Sequence, residues 1–270
     1  MSRGENTTST TMRGVVIVPT YNEAENIARL VTQILGLGLN LQVIVVDDNS
    51  PDGTGQIADR LAAADQHVFV VHRAGKLGLG TAYIAGFKTA LERGAPLVLS
   101  MDADFSHDPS YIPAMVDLVA SYDLVIGSRY VKGGGARDCT FMRRMLSRGA
   151  NLFAKINLGL KAHDCTAGFR CYRRHVLEAI ELDTIFSSGY SFLVEMLYRC
   201  QKKGFTVGEV PIIFVNRQQG ASKISRMEIF KAVYAVLRLR FTHLPWDALL
   251  AIYRRRGRAE QDRRTRGSIK

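Results

Sequence analysis

Four cysteines stand among 270 residues, and none falls in a CxxC pair or at zinc-ligand spacing. That excludes a disulfide scaffold and a structural zinc site, and it predicts buried thiols in a reducing compartment. No uninterrupted apolar run approaches the roughly 20 residues that span a bilayer. The first dozen residues are polar, with no charged-then-apolar leader and cleavage site. Residues 1–12 are therefore expected to be disordered and the protein cytoplasmic, with any membrane contact peripheral. No internal repeat is present. Acidic residues are the minority, 25 against 36 Lys and Arg, which leaves a net charge of +11. Such an excess predicts an anionic partner, whether nucleic acid, phosphorylated substrate or acidic membrane surface. It is uneven, because residues 254–270 hold eight basic residues against Glu260 and Asp262.

What is present is ordinary globular material, 47% hydrophobic and 23% charged, enough for one large α/β domain over residues 13–241 with a short basic tail over 242–270. Residues 15–19, 43–46, 67–71, 97–101 and 124–127 are short β-branched runs bounded by turn residues. Each is continuously apolar rather than alternating, as strands buried on both faces of a parallel sheet must be. Helical stretches separate them: one from Asn22 or Glu23 to about Leu37, one capped by Thr54, one over 80–93, and one opened by Asp108 and Pro109. That βαβα rhythm specifies a doubly wound, mostly parallel central sheet flanked by helices. Beyond Tyr130 the pattern changes. KGGGARD (132–138) reads as a mobile loop, followed by a helix over 141–158, a strand over 168–172, a helix over 190–203, a strand over 206–215 and an amphipathic segment over 225–241.

Three strand ends carry polar residues. Asp102-Ala103-Asp104 follows the strand LVLS, and the carboxyl ends of parallel strands face the ligand crevice. Two carboxylates one residue apart there can share a divalent cation, which takes hard oxygen ligands and stabilises a leaving diphosphate. The alternative is a pair of solvated turn aspartates. Asp47-Asp48 ends the strand VIVV; one carboxylate suits a ribose or base N–H, while Asn49, Pro51, Asp52 and Gly53 make an ordinary turn. Pro19-Thr20-Tyr21-Asn22-Glu23 offers Tyr21 to a nucleobase with Glu23 nearby, or simply a helix start with a favourable acid in its first turn. GLGTAY (78–83) lacks the third glycine of a dinucleotide fingerprint and follows the third strand rather than the first.

These residues lie within an ordered series: PTYNE, VVDDNSPDGT, KLGLGTAYIAGF, MDADFSH, IGSRY, SRGAN, TAGFRCY and EVPIIFVNRQQGASK. The series, spread over residues 13–241, resembles the family-2 glycosyltransferases, and within them the dolichol-phosphate mannose synthases and their bacterial polyprenyl relatives. The resemblance implies a GT-A nucleotide-diphosphosugar transferase fold and a metal-dependent, inverting mannosyl transfer from GDP-mannose to a polyprenyl phosphate, with Mg²⁺ or Mn²⁺. It assigns Pro19, Tyr21, Glu23, Val46 and Asp48 to the guanine nucleotide, and Asp102, Ala103 and Asp104 to the diphosphate and metal. It gathers Arg129, Arg217 and Lys223 around the donor and acceptor phosphates, with Asp104 and Arg129 the residues on which catalysis rests. Some relatives place a metal-binding Gln where this chain has Ser106. Arginine suits such sites because its guanidinium clamps phosphate bidentately. Arg143, Arg144 and Ser147 are candidates for the lipid phosphate, or else part of a solvated basic helix face. An ionised phosphate acceptor needs no general base, so none is assigned, and His107 either tunes the site or orients its turn.

An anionic membrane surface is the expected partner of the C-terminal region, where residues 244–253 offer Trp246, Leu249, Leu250 and Ile252 just before three arginines. The apolar face of 225–241 is expected to pack on the sheet instead. Relatives without spanning helices in some cases use a small membrane-anchoring subunit. Two rival readings remain at this level: the same fold using UDP-glucose, and a basic nucleic-acid-binding protein. Unmetallated paired acids would repel a phosphate backbone, which sets the second aside, so no nucleic-acid partner is expected.

Overall fold

The computed structural model describes residues 13–216 and 226–241 of the chain. Seven strands form one sheet in the order β3-β2-β1-β4-β7-β5-β8. They are β1 (Gly14–Thr20), β2 (Leu41–Asp47), β3 (Val68–His72), β4 (Leu97–Ser100), β5 (Leu124–Ser128), β7 (Arg170–Arg173) and β8 (Val207–Pro211). All neighbours run parallel except β7, which is antiparallel to both β4 and β5. The continuous apolar runs are explained by covering on both faces. Val15, Ile17, Ile44 and Val46 point into one core layer, while Val16, Val18, Val43 and Val45 point into the other. Alternation along each strand therefore exists, but it alternates between two cores.

The first layer is built by α3 (Leu79–Glu92), α7 (Tyr190–Lys202) and the buried edges of α5 (Phe141–Leu158) and α8 (Arg226–Arg240); the second by α1 (Ile27–Leu35), α2 (Thr54–Ala64) and α4 (Ile112–Leu118). The short helix α6 (Arg174–Ala179) follows β7. Helix α3 sits unusually close to β1, because a Cβ at Gly86 would lie 2.3 Å from Ile17 Cγ2. Only glycine permits that approach, and it seats Tyr83, one turn earlier, beneath the strand ends. Helix α8 packs its buried Ala235, Val236 and Leu239 with α5 and α7 rather than on the sheet itself.

Several boundaries differ from the sequence expectations. Helix α1 starts at Ile27, not Asn22, because Asn22 adopts a left-handed φ of 60° and residues 22–24 are tied to the β2–α2 turn. There the Glu23 amide donates to Thr54 Oγ1 and the Ala24 amide to Asp52 Oδ2. Thr54 is the first residue of α2, and Asp52 accepts its amide instead. The expected loop 132–138 contains a strand, β6 (Gly135–Arg137), paired in parallel with β9 (Ile213–Val215). The expected strand over 206–215 is thus two strands, since β8 stays in the main sheet. Asp108 does cap the turn before α4, accepting the Ser110 amide at 2.8 Å. Segments 1–12 and 242–270, and with them the expected disordered start and basic tail, lie outside the described residues.

Candidate active site

The carboxyl ends of β2, β1 and β4 lie side by side, so the three polar segments converge. At β2 the two aspartates divide the work. Asp47 is buried and closes the turn, accepting from Thr20 Oγ1 at 3.1 Å and from the Ser50 amide at 3.1 Å. Asp48 faces the cavity and accepts from Arg73 Nη1 at 2.6 Å, while Arg73 Nη2 donates to Thr81 Oγ1. Burial pushes the Asp48 carboxyl above its ordinary range, more than the Arg73 charge pulls it back. Tyr21 lines the same end, with Lys76 Nζ 4.1 Å from its ring centroid, and so do Pro19 and the buried Glu23, which accepts from Asn26 Nδ2. Val46 lies wholly in the core.

The acid pair leaves β4 through a tight turn in which Phe105 holds a left-handed φ of 58°. A bulky residue in that region is uncommon and strained. Asp104 Oδ1 accepts the Ser106 amide at 3.0 Å. Tyr83, fully buried between the rings of Phe87 and Phe192, donates its hydroxyl to Asp102 Oδ1 at 3.0 Å. The Asp102 amide donates to His107 Nδ1 at 3.3 Å, which leaves the ring proton on Nε2. His107 is buried against Phe169, and burial lowers its pKa despite the nearby charges of Asp102 and Asp104. A neutral imidazole that orients the acid segment is the result.

Do these groups suit a divalent ion? Among the described residues no cluster of three or more His, Cys, Asp or Glu forms a closed cage. The two carboxylates are partly exposed to the cavity, and the buried Ser106 hydroxyl beside them has no hydrogen-bond partner. Two hard oxygen donors, an unpaired hydroxyl and open space fit an ion such as Mg²⁺ or Mn²⁺ that keeps waters and takes further ligands from a diphosphate.

At the end of β5, Arg129 is held by a partner that motif reading did not single out. Its Nε and Nη2 donate to the two oxygens of Asp164 at 2.7 and 2.8 Å, and Nη2 also reaches Thr166 Oγ1 at 2.8 Å. Asp164 is fully buried. Burial alone would raise its pKa, but the Arg129 guanidinium outweighs it and holds the carboxyl below its ordinary range. Glu209 in turn fixes the Asp164 segment, accepting the amides of His163 and Asp164 at 2.8 and 3.0 Å. Arg170, wholly buried, donates to the carbonyls of Cys165, Ala167 and Leu193 and so shapes the adjoining turn. Nη1 of Arg129 has no hydrogen-bond partner among the described residues, and Arg129 lines the cavity.

Helix α5 is capped by Thr140, whose hydroxyl accepts the Arg143 amide. Arg143, Arg144 and Ser147 all line the cavity, with Ser147 Oγ 2.8 Å from Tyr130 Oη. Arg217 and Lys223 lie outside the described residues. Sequence reasoning missed Asp164, Arg73, Lys76 and Tyr83 as contributors, although Lys76 and Tyr83 fall within a motif it quoted. The cavity that joins these groups has a volume of about 1010 Å³. Its lining joins Tyr21, Asp48, Asp102 and Asp104 from the strand ends to Met142, Met145 and Leu146 of α5 and Val233 of α8.

Comparison with known proteins gives a consistent picture. Residues 15–181 match the profile of Glycosyl transferase family 2. The chain is 47% identical over 228 residues to a polyprenol monophosphomannose synthase of Mycolicibacterium smegmatis, covering 84% of this chain and 86% of that protein. It is likewise 47% identical to an undecaprenyl-phosphate mannosyltransferase of Micrococcus luteus, over 84% of this chain and 93% of that protein. Among solved structures, glucosyl-3-phosphoglycerate synthase from Mycobacterium tuberculosis, in complex with Mn²⁺, UDP and product, superposes with a TM-score of 0.60 at 20% identity, over 84% of this chain and 80% of that one. At that identity the likeness speaks for the fold, a GT-A sheet with flanking helices.

Proposed function

This chain belongs to glycosyl transferase family 2, and from that premise we propose that it transfers mannose from GDP-mannose to a polyprenyl phosphate at a membrane surface. The observation that carries the proposal is one cavity lined both by strand-end polar groups and by apolar side chains of α5 and α8. A sugar nucleotide is polar along its length and needs only the strand-end half. An apolar wall of Met142, Met145, Leu146 and Val233 continuous with that half suits an acceptor that is a phosphate on a hydrocarbon chain. The two relatives at 47% identity bear names that pair a mannosyl group with a prenol phosphate, which supports the same choice.

In this reading Tyr21 and Asp48 receive the base and ribose, with Lys76 giving up its place over the Tyr21 ring. Asp102 and Asp104 hold the divalent ion, which when bound neutralises the charge that builds on the leaving diphosphate. Tyr83 and His107 fix the Asp102 segment. Arg129 offers its open Nη1 edge to a phosphate, and Arg143 with Ser147 positions the acceptor phosphate for in-line attack at the anomeric carbon. A single displacement inverts the linkage. The acceptor oxygen is already ionised at neutral pH, so positioning and charge compensation do the catalysis without a general base.

The test is radiolabel transfer from GDP-mannose into lipid extract by purified protein with polyprenyl phosphate and Mg²⁺, with UDP-glucose in parallel. Metal-dependent label from GDP-mannose is expected. Label from UDP-glucose alone would replace the sugar, and the absence of transfer from either by folded protein would sink the reading.

A further inference from the structure

Helix α5 carries an apolar stripe that the fold does not use. Phe141, Met142, Leu152 and Ile156 are 67%, 74%, 56% and 70% exposed, and Met145 is also exposed. At about 100° per residue, Phe141, Met145, Leu152 and Ile156 fall within roughly 60° of one another. The buried residues Asn151, Ala154 and Leu158 centre about 140° away on the same wheel, so the stripe is turned away from the packed face. Arg144, Arg148 and Lys155 run along one border of it. Met142 and Met145 belong both to the exposed face and to the cavity wall, which makes the stripe continuous with the site. A soluble surface rarely leaves such a row of large side chains in water.

We propose that this face of α5 is the surface by which the protein docks on an anionic bilayer, its apolar stripe entering the headgroup boundary and its basic border meeting lipid phosphates. The inference rests on the lipid-phosphate acceptor proposed above, and it adds where the membrane lies: over α5, at the mouth through which the acceptor phosphate descends to Arg129. Charge argues for a bilayer over other occupants. A second copy would bring two rows of arginine together, and residues 242–270, with eight basic residues against three acidic, would meet the same repulsion.

The test uses the full chain and the combined variant Phe141→Ser, Leu152→Ser, Ile156→Ser, none of which lines the cavity. Flotation with phosphatidylcholine vesicles containing phosphatidylglycerol is expected to fall at least about tenfold in the variant, at an unchanged melting temperature. Transfer to a short, water-soluble prenyl phosphate is expected to stay within about twofold, while transfer to a long-chain acceptor in vesicles falls with the flotation. Wild-type flotation by the variant would overturn the proposal. So would a wild-type dimer that the variant converts to monomer, or loss of flotation on truncation after Phe241 with α5 intact. Absence of transfer to any prenyl phosphate, with α5-dependent flotation retained, would instead retract the mannosyltransferase reading and leave the docking surface standing.

Discussion

The strand-end and helical parts of the cavity lining are built on opposite principles. At the strand ends nearly every charge is matched within the protein: Asp47 by Thr20 and the Ser50 amide, Asp48 by Arg73, Asp102 by Tyr83, Arg129 by Asp164. On the helical part, apolar side chains of α5 stand in solvent, and serine and arginine of the same helix line the cavity with them. The first arrangement is preorganised, with groups fixed before a ligand arrives and little reorganisation left to be done. The second is incomplete without something outside the protein. A polar, rigid donor and a greasy, membrane-held acceptor call for that division.

The contrast breaks most visibly at Asp104. Asp104→Asn removes a charged oxygen donor from the proposed metal pair without changing its size. Turnover is expected to fall by about a thousandfold or more, since charge stabilisation at the leaving group is the main catalytic term available. Residual activity that more metal fully restores would fit this expectation, whereas full activity at limiting metal would contradict it.

Next in size is Asp164→Asn, which tests whether preorganisation matters apart from direct contact. The amide can keep one hydrogen bond to Arg129 but leaves a buried guanidinium without its counter-charge. A stability loss of about 3 kcal/mol is expected from breaking a buried pair on one side, read by urea denaturation. With the variant kept folded, kcat/KM for the acceptor should fall about a hundredfold while donor binding changes little. The pH dependence gives a second readout. A folded carboxyl held below its unfolded value of 3.8 contributes stability that is complete above that value and is lost as pH falls through the lower folded value. The variant should lack that acid limb.

Tyr83→Phe sharpens the same point at lower amplitude. The ring keeps its place between Phe87 and Phe192, so packing is preserved, but the hydroxyl on Asp102 Oδ1 is gone. Groups that orient a metal ligand are worth about tenfold in affinity at the low end. Mn²⁺ binding by calorimetry should weaken by that factor, and a binding constant unchanged within twofold would assign Tyr83 to the core alone.

How much of this division was legible in sequence follows from the range of the contacts involved. The five parallel strands are readable because burial on both faces leaves continuous apolar runs, and α5 because Thr140 caps it and Gly159 ends it with a left-handed φ of 64°. The start of α1 is not, since the bonds that hold residues 22–24 away from the helix come from Ser50, Asp52 and Thr54, about 30 positions off. Strand β6 hides in a glycine run whose partner β9 lies far along the chain. The acid pair stands out as a local pattern, while Asp164, which decides how Arg129 can act, is 35 residues from it. The outward stripe of α5 is present in the spacing of Phe141, Met145, Leu152 and Ile156, but spacing does not say which of two faces the fold covers.

Ser106→Ala is the smallest expected effect and the most discriminating. Its buried hydroxyl has no protein partner, and an unsatisfied buried group costs about 1–3 kcal/mol. Without metal, removal should therefore leave stability unchanged or raise it by about 1 kcal/mol. With Mn²⁺ and GDP present, a hydroxyl that meets a metal-bound water becomes useful, and its loss should weaken ion binding by a few fold. The two effects have opposite signs, so paired melting curves with and without Mn²⁺ separate them. A gain in stability of equal size under both conditions would mean that the hydroxyl serves neither fold nor ion. A crossing of the two differences would place the oxygen at the metal, extending to Ser106 the preorganised character of the donor end.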